Sequence, residues 1–259
     1  MYFSAQHIDV KLNQDRSGSS KNDDIQKLVI CDGIGEFKDS DLVAELTVNN
    51  FIESDNLDFL KLMEILKSST SPETEGGTTF ISANHCEKNI IKLEYLGNGG
   101  IIHLHGDYGM NPNTEVPYRY NDLMHPHISP SGKLTKHISL NSGENELRST
   151  KIEVNLDYDS GDIVLLFSDG ISSLEDKFIL KDAEARFWRY ENSSIQRILK
   201  DLDLFLKENS RSIDFRNRLV QFNKNVLKDL KNENYLEDDA SLGIILTDKV
   251  LKLYSGLND

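Results

Sequence analysis

Short apolar runs separated by turn-forming residues dominate the chain. Runs of strand length recur at Leu28–Cys31, Thr78–Ala83, Ile90–Leu96, Ile101–His105, Lys151–Leu156, Ile163–Phe167 and Ser241–Thr247. Most are rich in Ile, Val, Leu or aromatics and end at Gly, Asn or Asp, as strands do. Tyr2–Lys11 alternates weakly and predicts a further strand. Elsewhere the apolar period lengthens to that of a helix. Phe59, Leu62, Met63 and Leu66 share a helical face within Asp41–Lys67. Ile195, Ile198, Leu199, Leu202 and Phe205 form a second such face, and Leu219, Phe222, Val226 and Leu230 a third. Asp39-Ser40-Asp41 and Asn192-Ser193-Ser194 are placed to cap helices at their N-termini.

The predicted order is strands, one long helix, many strands, two helices and a last strand. Segregation of helices from strands indicates an α+β architecture, not an alternating parallel sheet. Spacing across residues 78–106 predicts antiparallel pairing, with Gly97-Asn98-Gly99-Gly100 as a hairpin turn. Residues 107–133 hold Pro112, Pro117, Pro126 and Pro130 and read as an irregular excursion. With no repeat, linker or shift in composition, residues 1–259 read as a single domain.

Three of the strands share a chemical feature. Leu28-Val29-Ile30-Cys31 runs into Asp32-Gly33, and Ile163–Phe167 runs through Ser168 into Asp169-Gly170. Asp238-Asp239 introduces Ser241–Thr247. A carboxylate at the end of a buried strand is held still at the rim of the core. Three of them converging would grip a divalent cation, and hard oxygen donors suit Mg²⁺ or Mn²⁺ rather than Zn²⁺.

Net charge is −14 over 259 residues. That balance opposes nucleic acid and anionic membrane surfaces as partners. Close carboxylates repel, so an acidic cluster persists only when protonated or cation-bound. No run approaches the ~18 apolar residues of a membrane span, and the N-terminus has no leader pattern, so the expected location is cytoplasmic. The chain has two cysteines, too few for a disulfide framework. Cys31, closing an apolar strand, reads as packing. His125-Pro126-His127 reads as a surface loop, and His103 and His105, on one strand face, read as lacking acidic or cysteine partners.

Taken in order, Asn13-Gln14-Asp15, Val29-Ile30-Cys31-Asp32-Gly33-Ile34-Gly35, Gly77-Thr78-Thr79, Leu96-Gly97-Asn98-Gly99-Gly100, Phe167-Ser168-Asp169-Gly170 and Glu237-Asp238-Asp239-Ala240-Ser241 resemble the metal-dependent serine/threonine protein phosphatases of type 2C. The resemblance spans nearly the whole chain. It implies a four-layer α-β-β-α sandwich, two antiparallel sheets flanked by helices, with the metal site at one end. It further implies an enzyme that hydrolyses phosphoserine or phosphothreonine in a protein substrate. Asp32 would bridge two ions, Mn²⁺ or Mg²⁺. Asp169 and Asp238 would complete one of them, and the Gly33 carbonyl would serve the other. Asp15 would act near Asp32 through metal-bound water, with Asp239 and Gln14 behind these ligands. Two such ions ~3.5–4 Å apart share a water, lower its pKa and neutralise the phosphoryl oxygens. The partners implied are a phosphoprotein and a cognate kinase.

Several positions depart from that pattern. Ile34 stands where many relatives carry a histidine that donates a proton. Val10 stands where a phosphate-binding arginine is common, and Lys11 beside it would point to the other face of a strand. Asn98 and Ser173 replace aspartates that hold a third cation. These departures support an alternative: a weak or inactive phosphatase-like regulatory module that binds a signalling partner.

Overall fold

A computed structural model describes residues 1–22, 25–54, 57–105, 120–157, 160–172, 176–181, 186–191 and 194–256. The chain opens with β1 (Tyr2–Ile8), β2 (Arg16–Asn22) and β3 (Ile25–Cys31), followed by α1 (Ser40–Glu53) and α2 (Phe59–Ser69). Next come β4 (Gly77–Thr78), β5 (Phe80–Glu87), β6 (Ile90–Leu96), β7 (Gly100–His105), β8 (Tyr120–Asp122), β9 (Ile138–Ser139), β10 (Thr150–Asn155) and β11 (Asp162–Phe167). The short α3 (Asp169–Ser172), β12 (Asp176–Lys181) and β13 (Arg186–Glu191) precede α4 (Ser194–Asn209), α5 (Phe215–Asn232), β14 (Ala240–Leu246) and α6 (Asp248–Ser255).

Two five-stranded antiparallel sheets carry the fold, ordered β1-β14-β11-β7-β8 and β10-β6-β5-β3-β2. Alternation along the strands assigns side chains to three apolar layers. On β3, Leu28 and Ile30 enter the layer between the sheets, while Val29 and Cys31 face α1 and α2. On β11, Val164 and Leu166 join that middle layer, while Ile163, Leu165 and Phe167 pack under α4, α5 and α6. Both strands are covered on both faces, which is why they read as unbroken apolar runs. The result is the expected α-β-β-α stack. Cys31 is fully buried in its layer, and burial pushes its thiol up. Among the described residues no helix is long and apolar enough to cross a membrane.

Several expectations need correction. Asp41–Lys67 is two helices, not one. α1 stops at Glu53, Ser54 is extended, and Asp58 restarts the chain by accepting the Lys61 N–H at 2.7 Å. Lys27, buried on β3, donates to the carbonyls of Phe51 and Ser54 at the end of α1. A cation there meets the negative end of the helix and its unsatisfied carbonyls. Asp39 precedes α1, but its side chain accepts the Glu75 N–H at 3.0 Å instead of capping the helix. Asn192 and Ser193 lie outside the described residues.

Gly97–Gly99 is not a hairpin turn. β6 and β7 belong to different sheets, so this turn carries the chain from one sheet to the other, with Gly97 and Gly99 at φ 103 and 112. Finally, Thr78–Ala83 is two strands. Thr78 and Thr79 turn aside to bond the backbone of Asp32, so β4 pairs with β9 and β5 with β3 and β6. The weak N-terminal strand ends at Ile8, ahead of Val10 and Lys11. Of the irregular excursion, 106–119 lies outside the described residues, while 120–122 form β8.

Candidate metal centre

Strand ends from both sheets meet at one end of the sandwich. Asp32 follows the last residue of β3 and is gripped through its backbone. Thr79 N–H donates to the Asp32 carbonyl at 2.8 Å, Thr78 Oγ1 donates to the same carbonyl at 3.0 Å, and the Asp32 N–H donates to Thr79 Oγ1 at 3.1 Å. Gly77-Thr78-Thr79 therefore works as a clamp that fixes where the Asp32 side chain begins.

Asp15 approaches from the loop between β1 and β2. It is fully buried. Its Oδ2 accepts Ser168 Oγ at 2.8 Å, and its Oδ1 has no donor. Ser168 is itself held by Ser241, whose N–H donates to Ser168 Oγ at 2.8 Å and whose carbonyl accepts the Ser168 N–H at 3.1 Å. Two serines thus tie β11, β14 and the Asp15 loop together. Neither hydroxyl was singled out in the sequence; Ser168, preceding Asp169 in the Phe-Ser-Asp-Gly segment, was the available signal.

The carboxyls of Asp15 and Asp169 are the acidic neighbours of Asp32. Burial, then the charges of Asp15 and Asp169, holds Asp32 well above the usual carboxylate range. Burial likewise pushes Asp15 up to about 7, despite the opposing contacts from Asp32 and Ser168. Such a pair shares a proton or a cation, because two buried like charges in contact do not both ionise unaided.

Asp169 begins α3, and its Oδ2 accepts the side-chain amide of Asn98. Gly170 beside it has no alternative. A Cβ there would sit 1.9 Å from the Asp239 carbonyl oxygen, so the β11 turn runs flush against the Asp238–Asp239 backbone. That contact sets the Asp238–Asp239 backbone against the residue after Asp169. The Asp238 carboxylate accepts the Asp239 N–H at 3.0 Å. Gly33 packs on Gln14, whose amide reaches the Phe37 carbonyl at 3.5 Å.

Asp239 is buried and accepts the backbone N–H groups of Val10, Lys11, Leu12 and Gln14 at 2.7–3.3 Å. Burial alone would raise its pKa; these four donors outweigh it, and the net displacement is downward. Asp239 therefore shapes the loop that delivers Asp15. Lys11 takes part through its N–H, in a turn and not on a strand face. Arg16 braces the same loop, donating to the carbonyls of Asn13 at 2.9 Å and Asp15 at 2.8 Å. Replacing Asp239 by Ala strands these donors; the protein should lose ~2 kcal/mol, read as a fall of ~4–8 °C in thermal midpoint. Asp239→Asn, which keeps one acceptor oxygen, should lose about half as much.

The other singled-out histidines lie elsewhere. His127 stacks on Tyr95 at 5.0 Å, accepts the Gly97 N–H at 3.2 Å and meets Thr150 Oγ1 at 2.9 Å. It is a brace for the crossover turn, and burial lowers its pKa. Ser173 lies outside the described residues.

Solved structures share this frame. A bacterial serine phosphatase superposes with a TM-score of 0.58 at 15% identity, over 95% of this chain and 97% of its own. A serine-threonine phosphatase 2C from Toxoplasma gondii gives 0.55 at 11%, over 94% of each chain. The fold is that of the type 2C phosphatases. A third neighbour, the catalytic domain of the serine threonine protein phosphatase PstP in complex with two manganese ions, gives 0.50 at 15%, over 93% of this chain and 96% of its own. No protein-family description matches the sequence, and no curated protein matches it either. The type 2C frame is thus carried by the structure, at identities of 11–15%.

Proposed function

We propose that the chain is a Mg²⁺- or Mn²⁺-dependent phosphatase of phosphoserine and phosphothreonine in proteins. The observation that carries this reading is the proximity of Asp32 to both Asp15, which is fully buried, and Asp169. The donor set fits a hard cation. It is all oxygen, it is anionic, and Asp15 Oδ1 is buried with no donor to satisfy it. Asp32 and Asp169, with Asp238 and the Gly33 carbonyl, would hold two ions, as PstP holds two manganese ions. Such ions supply a nucleophilic water at neutral pH and neutralise the phosphoryl group. The chain's own residues do the rest. Thr78 and Thr79 fix Asp32, Ser168 fixes Asp15, and Asp239 fixes the loop that delivers Asp15. Without a cation, burial and mutual repulsion favour a protonated Asp15–Asp32 pair. The substrate would be a phosphoprotein, with a cognate kinase as the opposing partner.

One observation favours the alternative of a non-hydrolytic regulatory module. The Asn98 amide occupies Asp169 Oδ2, where a carboxylate at residue 98 would have added charge for a third ion. Ile34 adds no proton donor, and general acid help is worth ~10²–10⁴-fold. A Mn²⁺ titration of the purified chain, read both as bound metal and as phosphate released from a phosphopeptide, separates the two readings. Two bound ions with chelator-sensitive release are expected. Two bound ions with no release on any phosphopeptide would establish the module, and no ion at Asp32 would end both.

A further inference from the structure

At the far end of the same sandwich, three side chains from two strands converge. β7 and β11 run antiparallel with His105 opposite Asp162 and His103 opposite Val164. Ile102 and Leu104 face the helices, so His103 and His105 face the layer between the sheets, on the side of Ile101. Asp162 shares that side with Val164 and Leu166 and is 1% exposed. Its Oδ1 lies 2.8 Å from His103 Nε2 and 3.3 Å from His105 Nδ1. Ligand atoms of the three residues all lie within 4.8 Å of one another. The acidic partner of these histidines lies 57 positions from His105 and meets it only through strand register.

We propose that His103, His105 and Asp162 form a second metal site, for a zinc-like first-row divalent cation. The donor set is two imidazoles and one carboxylate, which suits Zn²⁺, Co²⁺ or Ni²⁺ and not Mg²⁺. The spacing suits it too. Two ligands at ~2.0–2.1 Å from a tetrahedral ion sit roughly 3.3 Å apart, the His105–Asp162 separation already present. The His103–Asp162 contact needs to open by about half an ångström.

The surroundings orient each donor toward one point. The Asp157 N–H donates to Asp162 Oδ2 at 2.9 Å, which leaves Oδ1 to the histidines. The Asp157 carboxylate lies 3.4 Å from His105 Nε2, the ring nitrogen that faces away from Asp162. A carboxylate behind a ligating imidazole fixes its tautomer and raises its basicity. Asp157 is thus a positioning residue. His105 is about half exposed, so solvent completes the coordination.

This site is chemically and spatially separate from the carboxylates. β11 runs from Asp162 to the turn at Asp169, and at ~3.3 Å per residue the two ends lie about 20 Å apart. The proposal stands whether or not the carboxylate site hydrolyses phosphate.

Co²⁺ is the probe, because tetrahedral nitrogen-bound Co²⁺ absorbs visible light strongly and oxygen-bound octahedral Co²⁺ only weakly. Metal-free full-length protein should develop a strong visible band at one equivalent of Co²⁺, abolished by one equivalent of Zn²⁺. Asp32→Ala should keep the band. His105→Ala, at a half-exposed position, should fold and lose it, and Asp157→Asn should weaken Co²⁺ binding by ~10–100-fold. A strong band that survives His105→Ala, or that is lost in a folded Asp32→Ala, would place the ion elsewhere. No strong band in the unaltered protein would leave His103 and Asp162 as an ordinary buried pair and overturn the proposal.

Discussion

Asp32→Ala should lower Mn²⁺-dependent phosphate release by at least ~10² and, in the same protein stripped of metal, raise thermal stability. The two effects have one cause. Asp32 is the member of the cluster that neighbours both other carboxyls, so it is the position where one side chain can serve two ions. It is also where the metal-free protein is most frustrated. Burial and the charges of Asp15 and Asp169 both disfavour its ionised form. Its backbone, by contrast, is held by Thr78 and Thr79 whatever the side chain is. Removing the carboxyl therefore leaves the scaffold in place and relieves repulsion. Initial rates at saturating Mn²⁺ and melting curves in chelator test both halves. Unaltered turnover in a folded variant would remove Asp32 from the chemistry. A lower melting point in chelator would mean that the carboxyl anchors the fold instead.

The apolar strands were legible because burial on both faces writes an unbroken run, as in β3 and β11. The carboxylates at their ends were legible for the same reason, since each marks where such a run stops. What sequence could not supply was pairing. β2, Arg-Ser-Gly-Ser-Ser-Lys-Asn, is a polar edge strand that never alternates clearly, so it went unseen. The glycine-rich turn after β6 has the spacing of a hairpin, and spacing does not say which sheet the next strand joins. The break between α1 and α2 rests on Ser54 and Asp58, ordinary polar residues on an otherwise helical stretch. The Asp15–Asp32 proximity depends on Asp239 drawing four backbone donors from residues 10–14. Asp239 was expected behind the ligands, but no local pattern reveals what its carboxylate would hold.

Metal-free protein should lose stability as pH rises from 5 to 8, and Mn²⁺ should remove that loss. The sign follows from Asp15, which shifts from 3.8 up to about 7 on folding. A carboxyl raised in the folded state contributes fully below its unfolded value, and that contribution disappears as pH climbs through the folded value. Asp32, raised in the same direction, adds to the slope. Together they are worth a few kcal/mol across that window, or at least ~5 °C in thermal midpoint. His7, His85, His127 and His137 oppose them. Burial lowers each, so their contributions are present at high pH and lost as pH falls. Comparison with Asp15→Asn isolates the carboxyl part, because that variant keeps the histidines and should lose most of the downward slope. Mn²⁺ replaces the shared proton, so binding strengthens as pH rises. At a hundredfold excess over its dissociation constant it adds about 2.7 kcal/mol, enough to offset the loss at pH 8. If the chelated protein and Asp15→Asn showed parallel pH profiles, the buried pair would not be sharing a proton, and the electrostatic case for a cation at this end of the sandwich would fail with it.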